Sequence, residues 1–314
     1  MTAAPIQQLF SADDATVIDG GLATELERRG NDLSDPLWSA RLLIEAPEEI
    51  VAAHLAYFRA GARVATSASY QGSFEGFAAR GIHRPAATQL FRRSVELAVE
   101  ARRRHLAEVG VLGGPAPSLL VAASVGPYGA VLADGSEYRG DYGLTVAELV
   151  AWHAPRLAVL AEAGADLLAI ETIPSLDEGR ALVELLTSSS GPPAWLSFTC
   201  ADGAHTRHGE RVEAAFALAE VTDRVVAVGI NCTAPEHAAE LVARARAVTA
   251  KSIVVYPNSG ETWDPTTRQW TGRIGPNVDS DSARRWVEAG ARLIGGCCRV
   301  GPDRIAELAA AGLG

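Results

Sequence analysis

The sequence is short of positive charge, and of lysine above all: Lys251 is the only lysine among its 314 residues. Lysine and arginine together number 28 against 38 aspartates and glutamates, which gives a net charge of −10. The longest basic run is Arg102, Arg103 and Arg104. Because phosphate backbones are bound by clustered cations, we expect no nucleic-acid partner. A Schiff-base aldolase is also disfavoured, since its chemistry needs a lysine in the active site.

Long apolar runs are missing as well. The most apolar stretch, 157–170, is interrupted by Glu162 and Asp166, so it does not predict a membrane span. Residues 1–5 show neither the basic nor the apolar region of a signal peptide. We therefore expect a cytoplasmic protein with no membrane partner. No Gly-x-Gly-x-x-Gly motif follows a predicted strand, which leaves a Rossmann nucleotide site without support.

The sequence does contain a regular alternation of short apolar runs with helical segments. Strands are predicted at 16–19, 62–67, 119–125, 166–171, 194–200, 225–231, 252–256 and 291–295. Capping-box patterns that begin at Thr145, Ser175 and Thr233 predict helix starts between them. Eight β-then-α units favour an α/β fold, a (β/α)8 TIM-type barrel, over a doubly wound sheet. No linker divides the chain, so we predict a single domain over residues 1–314.

Two long connections, 126–144 and 257–280, are rich in glycine, proline and aspartate. Both follow the C-terminal ends of predicted strands, where barrels build their active sites. We therefore expect them to cover the site rather than to be plain surface loops. Lys251 precedes its strand, which places it at the opposite end of the barrel.

Cys232 ends the sixth predicted strand, and the adjacent pair Cys297 and Cys298 ends the eighth. All three would lie on the same barrel rim, and three thiolates match a catalytic zinc that keeps a fourth position open. The alternative is that they are small core residues, as cysteines often are. Cys200 has no such neighbours and is predicted to be core. His205 and His208 are interpreted as solvated loop residues rather than ligands.

Carboxylates also end two predicted strands. Asp19 and Glu171 together can hold an ammonium group, and Gly20 and Gly21 would let backbone N–H groups approach a carboxylate. That combination predicts a site for an amino acid. A pair of acids could instead act as general acid and base, as in glycoside hydrolysis, but this alternative leaves the cysteines unexplained. Ser67 and Asn231 are further candidates for orienting the substrate.

Eight segments at or near these positions form a joint motif: DGGLATEL (19–26), SASYQ (67–71), GPYGA (126–130), GSEYRGDY (135–142), ETIP (171–174), GINC (229–232), YPNSGE (256–261) and GGCCR (295–299). The set resembles the homocysteine S-methyltransferase family, in its single-domain form, over nearly the whole chain. The resemblance implies a (β/α)8 barrel, Zn²⁺ held by Cys232, Cys297 and Cys298, and homocysteine held by Asp19, the Gly20-Gly21 turn and Glu171.

The resemblance further implies direct in-line transfer of a methyl group from a sulfonium donor, S-methylmethionine or S-adenosylmethionine, to the thiol of homocysteine, which gives methionine. A relay through cobalamin or folate would need domains for which 314 residues leave no room beyond a barrel, so we expect a donor that is already an electrophile. The aromatic residues Tyr70, Phe74 and Tyr128 would suit a cation. Two alternatives stay open: a quaternary ammonium donor such as betaine, and a non-catalytic barrel that binds zinc or an amino acid.

Overall fold

The computed structural model of the protein describes residue 6 and residues 15–33, 39–111, 118–132, 134–264, 269–271 and 278–313. The strands of this part are β1 (Thr16–Val17), β2 (Val64–Thr66), β3 (Leu120–Val125), β4 (Leu167–Ile173), β5 (Ala194–Phe198), β6 (Val225–Asn231), β7 (Ser252–Tyr256), β8 (Thr262–Asp264), β9 (Gln269–Thr271) and β10 (Ala291–Ile294). The helices are α1 (Leu22–Arg28), α2 (Ser39–Glu45), α3 (Pro47–Arg59), α4 (Phe74–Ala78), α5 (Arg84–Val111), α6 (Tyr128–Leu132), α7 (Val146–Ala161), α8 (Leu176–Ser188), α9 (Val212–Ala217), α10 (Ala238–Val248), α11 (Ser280–Ala289) and α12 (Pro302–Ala310).

Eight of the strands form one parallel sheet in the order β1-β10-β7-β6-β5-β4-β3-β2. Two backbone hydrogen bonds join the ends of this order: Arg63 N–H donates to the Val17 carbonyl at 2.8 Å, and Asp19 N–H donates to the Val64 carbonyl at 3.1 Å. The sheet is therefore a barrel, and the predicted (β/α)8 fold is confirmed. All eight predicted strands are present, with ends that shift by up to two residues.

The core has two layers, one inside the barrel and one between the sheet and the helices. Inside the barrel, Trp195 is fully buried among small and branched side chains such as Ala122, Ala169 and Val254. Around the outside, the helices bury leucine, valine and alanine against the strands. This layering is typical of a barrel whose interior is packed rather than open. Among the described residues, no helix is both long enough and apolar enough to cross a membrane.

The predicted helix caps have three different outcomes. Thr145 forms the full capping box with Glu148, as predicted. Ser175 accepts from the N–H of Glu178, which begins α8, but the Glu178 side chain bonds elsewhere. The prediction for Thr233 is wrong: its hydroxyl donates to the Asn231 carbonyl and accepts from the Cys200 N–H, so it braces the end of β6 instead of capping a helix.

Both long connections lie beyond strand C-termini. The first, 126–144, folds into α6 and a 3-10 turn at Ser136–Tyr138. The second, 257–280, contains the antiparallel hairpin of β8 and β9, and its residues 265–268 and 272–277 lie outside the described residues. Lys251 lies at the other end of the barrel, where its ammonium donates to the carbonyl of Thr222 at 2.7 Å.

Candidate metal and substrate site

Three thiols meet at the C-terminal rim of the barrel. Cys232 follows β6, Cys297 and Cys298 follow β10, and all three sulfur atoms lie within 4.8 Å of one another. The Sγ of Cys298 is 3.8 Å from that of Cys232 and 3.9 Å from that of Cys297. Tetrahedral zinc with Zn–S bonds of about 2.3 Å requires sulfurs about 3.8 Å apart, so the thiols fit one tetrahedral metal ion.

The backbone N–H of each of these cysteines is hydrogen-bonded to strand β7 or to the loop after it. Cys232 N–H donates to the Tyr256 carbonyl at 3.3 Å, and Cys297 N–H donates to the Pro257 carbonyl at 2.8 Å. Cys298 N–H donates to Oδ1 of Asn258 at 3.1 Å. The three sulfurs are therefore positioned by one connected segment, which is how a preorganised site is built.

Contact between the thiols separates their pKa values. Hydrogen bonds from Cys297 and Cys298 lower the pKa of Cys232 well below its ordinary value. The same contacts with Cys232, with burial added, raise the pKa of Cys297 and of Cys298. The cluster thus favours a thiolate, the form of sulfur that binds soft cations. The hydroxyl of Tyr138 lies 3.7 Å from the same sulfur.

Three non-glycine residues around the site have left-handed backbone conformations: Thr172 at φ 61°, Cys232 at φ 49° and Arg299 at φ 65°. Such conformations cost of order 1–3 kcal/mol each, and they concentrate at functional sites. At Arg299 the cost is offset by two contacts: its N–H donates to Thr24 Oγ1 at 2.9 Å, and its guanidinium pairs with Glu261 at 3.1 Å.

Asn231 holds the strained Thr172 in place. Its Oδ1 accepts from Thr172 N–H at 2.7 Å and from Ser197 Oγ at 2.8 Å, while its Nδ2 donates to Thr172 Oγ1 at 2.7 Å. Nδ2 also lies 3.9 Å from the sulfur of Cys297. Asn231 borders the pocket, but its amide is committed to the protein, so it positions neighbouring residues rather than offering a free group to a ligand.

The two predicted carboxylates line the same pocket as the thiols. Asp19 accepts from Thr66 N–H at 2.6 Å and from Thr66 Oγ1 at 3.0 Å. Glu171 accepts from the hydroxyl of Ser124 and from that of Tyr256, the latter at 3.1 Å. Burial raises the pKa of each carboxyl to about 7. Because burial disfavours their charge, both acids gain from a positive ligand group.

Gly20 and Gly21 also line the pocket, and both pack tightly against the cysteine loop. A Cβ at Gly20 would lie 2.3 Å from the Val300 carbonyl oxygen, and one at Gly21 would lie 2.5 Å from that of Cys297. The Gly21 N–H donates to the Val300 carbonyl at 3.0 Å, so it is not free for a substrate carboxylate. The glycines instead let the cysteine loop approach. Leu22 and Ala23, which begin α1, also line the pocket.

Other sequence-predicted residues divide between the pocket and its surroundings. Ser67 lines the pocket, although its hydroxyl lies 2.8 Å from that of Ser69 and accepts from Ser124 N–H. Tyr70 also borders the pocket, whereas Phe74 packs on Phe91 and Tyr128 packs on Trp152. Cys200 is buried outside the thiol cluster, and His205 and His208 pair with Asp202 and Glu210.

Sequence reasoning missed Tyr256, although it ends a predicted strand on the active rim. Its hydroxyl accepts from Trp195 Nε1 at 3.0 Å and donates to Glu171. We expect Tyr256→Phe to lower the free energy of unfolding by about 1–3 kcal/mol, because the buried Trp195 N–H loses its acceptor. Urea unfolding of both proteins measures the difference, and an unchanged midpoint would contradict this role.

The fold and the site define a class: a (β/α)8 barrel with a three-cysteine metal site and paired carboxylates at the C-terminal rim of its strands. The chain belongs to the homocysteine S-methyltransferase family, whose model matches residues 16–312. It is 48% identical over 307 residues to the homocysteine S-methyltransferase YbgG of Bacillus subtilis, covering 98% of this chain and 97% of that protein. It is also 48% identical to a homocysteine S-methyltransferase of Escherichia coli, covering 98% of each chain.

A solved structure supports the same assignment. The metallated form of the homocysteine methyltransferase MmuM from Escherichia coli superimposes on this chain with a TM-score of 0.87 and 47% identity. The match covers 98% of this chain and 99% of that one. The family and the fold inferred from the sequence are therefore confirmed.

Proposed function

We propose that the protein is a zinc-dependent enzyme that transfers a methyl group from a sulfonium donor, S-methylmethionine or S-adenosylmethionine, to the thiol of homocysteine, giving methionine. We also infer that the barrel is the single domain of the chain, as predicted for residues 1–314. The observation that carries the proposal is the spacing of the Cys232, Cys297 and Cys298 sulfurs, which suits three corners of a tetrahedron. The fourth corner is then open to the sulfur of a substrate.

Zinc is the metal that this donor set fits, because soft thiolates favour it and the proposed reaction needs no change of oxidation state. When bound, zinc lowers the pKa of a coordinating thiol, so that homocysteine reacts as the thiolate. Asp19 and Glu171 take its ammonium group. Tyr256 holds Glu171 in place, and Asn231 holds Thr172, the residue that follows Glu171.

The reaction breaks one S–CH₃ bond of the sulfonium and leaves that electron pair on the departing sulfur, which becomes a neutral thioether. The thiolate of homocysteine forms the new S–CH₃ bond. Its proton has already gone to solvent, so the chain needs no general base, and no histidine lines the pocket.

The test counts that proton. At pH 8 the free thiol, with a reference pKa near ~8.5, is mostly protonated, whereas the raised carboxyl pKa values of about 7 leave Asp19 and Glu171 largely ionised. We expect homocysteine binding to the zinc form to release close to one proton, measured by calorimetry in buffers of different ionisation enthalpy. X-ray absorption should show a fourth sulfur neighbour at the zinc.

Two outcomes would overturn the proposal. The first is a zinc shell that does not change with homocysteine, together with a heat that is independent of the buffer. The second is wild-type protein that forms no methionine from homocysteine with either sulfonium donor. Betaine assayed in parallel separates a quaternary ammonium donor from a sulfonium donor.

A further inference from the structure

A third carboxylate lines the pocket and differs from the other two in its partners. Asp19 and Glu171 each accept two hydrogen bonds from the protein. Glu137, in the 3-10 turn Ser136–Tyr138, has one carboxylate oxygen, Oε2, that is buried and has no hydrogen-bond partner among the described residues. An unpaired carboxylate oxygen away from water is costly, so this position favours a ligand that can donate to it.

Glu137 has no ion-pair partner among the described cationic side chains. Among the described residues, the ion pairs within 4 Å do not include Glu137. The nearest arginine in sequence, Arg139, reaches Asp141 at 3.3 Å and the hydroxyl of Ser136 at 3.1 Å instead. Glu137 therefore lines the pocket without an ion-pair partner within 4 Å among the described residues.

The turn that carries Glu137 is firmly placed beside the thiol cluster. A Cβ at Gly129 would lie 2.5 Å from Glu137 N, so the turn packs directly on α6. The next residue, Tyr138, brings its hydroxyl to 3.7 Å from the sulfur of Cys232. The pocket thus offers a third carboxylate, carried by a turn that lies beside the thiol cluster.

We propose that Glu137 binds the ammonium group of an amino-acid methyl donor, and so makes the enzyme prefer such donors over those that lack an amine. The assignment rests on the proposed function. Homocysteine has one ammonium group, which Asp19 and Glu171 receive. The donor brings a second one, and Glu137 is the remaining carboxylate among the described residues that line the pocket. The contact holds the donor and takes no part in breaking the S–CH₃ bond.

The experiment combines a change in the protein with a change in the donor. Glu137→Gln and the wild type are each assayed, at saturating homocysteine, with S-methylmethionine and with 4-dimethylsulfoniobutanoate, the same sulfonium without the amine. In the wild type we expect kcat/KM to be about 10- to 150-fold higher for S-methylmethionine, the range for a charge-assisted hydrogen bond. In Glu137→Gln this preference should largely disappear, while the rate with the deaminated donor stays within a few-fold.

Asp141→Asn is the matched control, because it removes one negative charge from the same loop at an exposed side chain. It should keep the wild-type preference. Three results would overturn the assignment: equal losses with both donors in Glu137→Gln, weaker homocysteine binding instead of weaker donor use, or a wild type that does not discriminate between the donors. The last needs no variant. If the wild type methylates homocysteine with neither sulfonium, the proposed function itself fails.

Discussion

Replacing Cys298 by serine is expected to remove both the bound zinc and the methyl transfer. The proposed zinc site has three protein ligands, and a neutral hydroxyl cannot replace a thiolate whose sulfur lies 3.8 Å from that of Cys232 and 3.9 Å from that of Cys297. Loss of outer partners of a metal already costs about 10- to 100-fold in affinity, so loss of a ligand should cost at least about 100-fold. Elemental analysis should find roughly one zinc per chain in the wild type and little in the variant.

Cys200→Ala provides the control, since Cys200 is a buried thiol outside the cluster. It should keep both zinc and activity, even if its buried position makes it less stable. The far-ultraviolet circular dichroism of Cys298→Ser should remain that of a folded α/β protein. Full activity in zinc-free wild-type protein would refute the metal requirement.

Glu171→Gln should weaken homocysteine binding by about 10- to 150-fold and leave the zinc content unchanged. The change removes the charge that we propose pairs with the substrate ammonium, an interaction worth roughly 1.5–3 kcal/mol, but it removes no proposed metal ligand. Titration calorimetry with homocysteine measures the affinity, and elemental analysis measures the metal. A variant that binds homocysteine as the wild type does would reduce Glu171 to a structural partner of Ser124 and Tyr256.

The pH dependence of homocysteine affinity provides a second test of the role of Glu171. Burial raises the pKa of Glu171 and of Asp19 to about 7, so both acids are neutral in the free protein at lower pH. Homocysteine affinity should therefore fall as the pH drops from 8 to 6, by up to about tenfold per unit for each carboxyl. In Glu171→Gln the fall should be shallower, because Asp19 and the thiol of homocysteine remain to titrate and Glu171 does not.

The strands and their order were predictable because each strand of a parallel barrel is buried on both sides and is therefore a short apolar run. The hairpin of β8 and β9 was not, because it lies within a connection whose polar composition is typical of a loop. The predicted helix cap at Thr233 failed because other hydrogen bonds competed for its hydroxyl. Its pattern satisfied a local rule, but its hydroxyl instead donates to the Asn231 carbonyl and accepts from the Cys200 N–H, 33 residues away in the sequence.

The site was predictable only as far as strand ends reveal it. Cys232, Cys297 and Cys298 could be brought together because parallel strands end on one rim. Tyr138 and Glu137 were named only within a motif, because nothing local shows that a loop turns back toward a thiol 94 residues away in the chain. The engagement of the Gly21 N–H by Val300 is likewise a contact that no spacing rule encodes.

The late position of β10 in the sequence determines when the site can form during synthesis. The strand pairs with β1 on one side and β7 on the other, and it leads directly into Cys297 and Cys298. Synthesis from the ribosome proceeds from the N-terminus, so the nascent chain exposes a lone Cys232 while the sheet still has an open edge. The short segment of β10 and the two cysteines after it then closes the barrel and completes the thiol cluster. A product truncated before residue 291 would lack β10 and the two cysteines that follow it. Metal binding would thus distinguish complete chains from truncated ones.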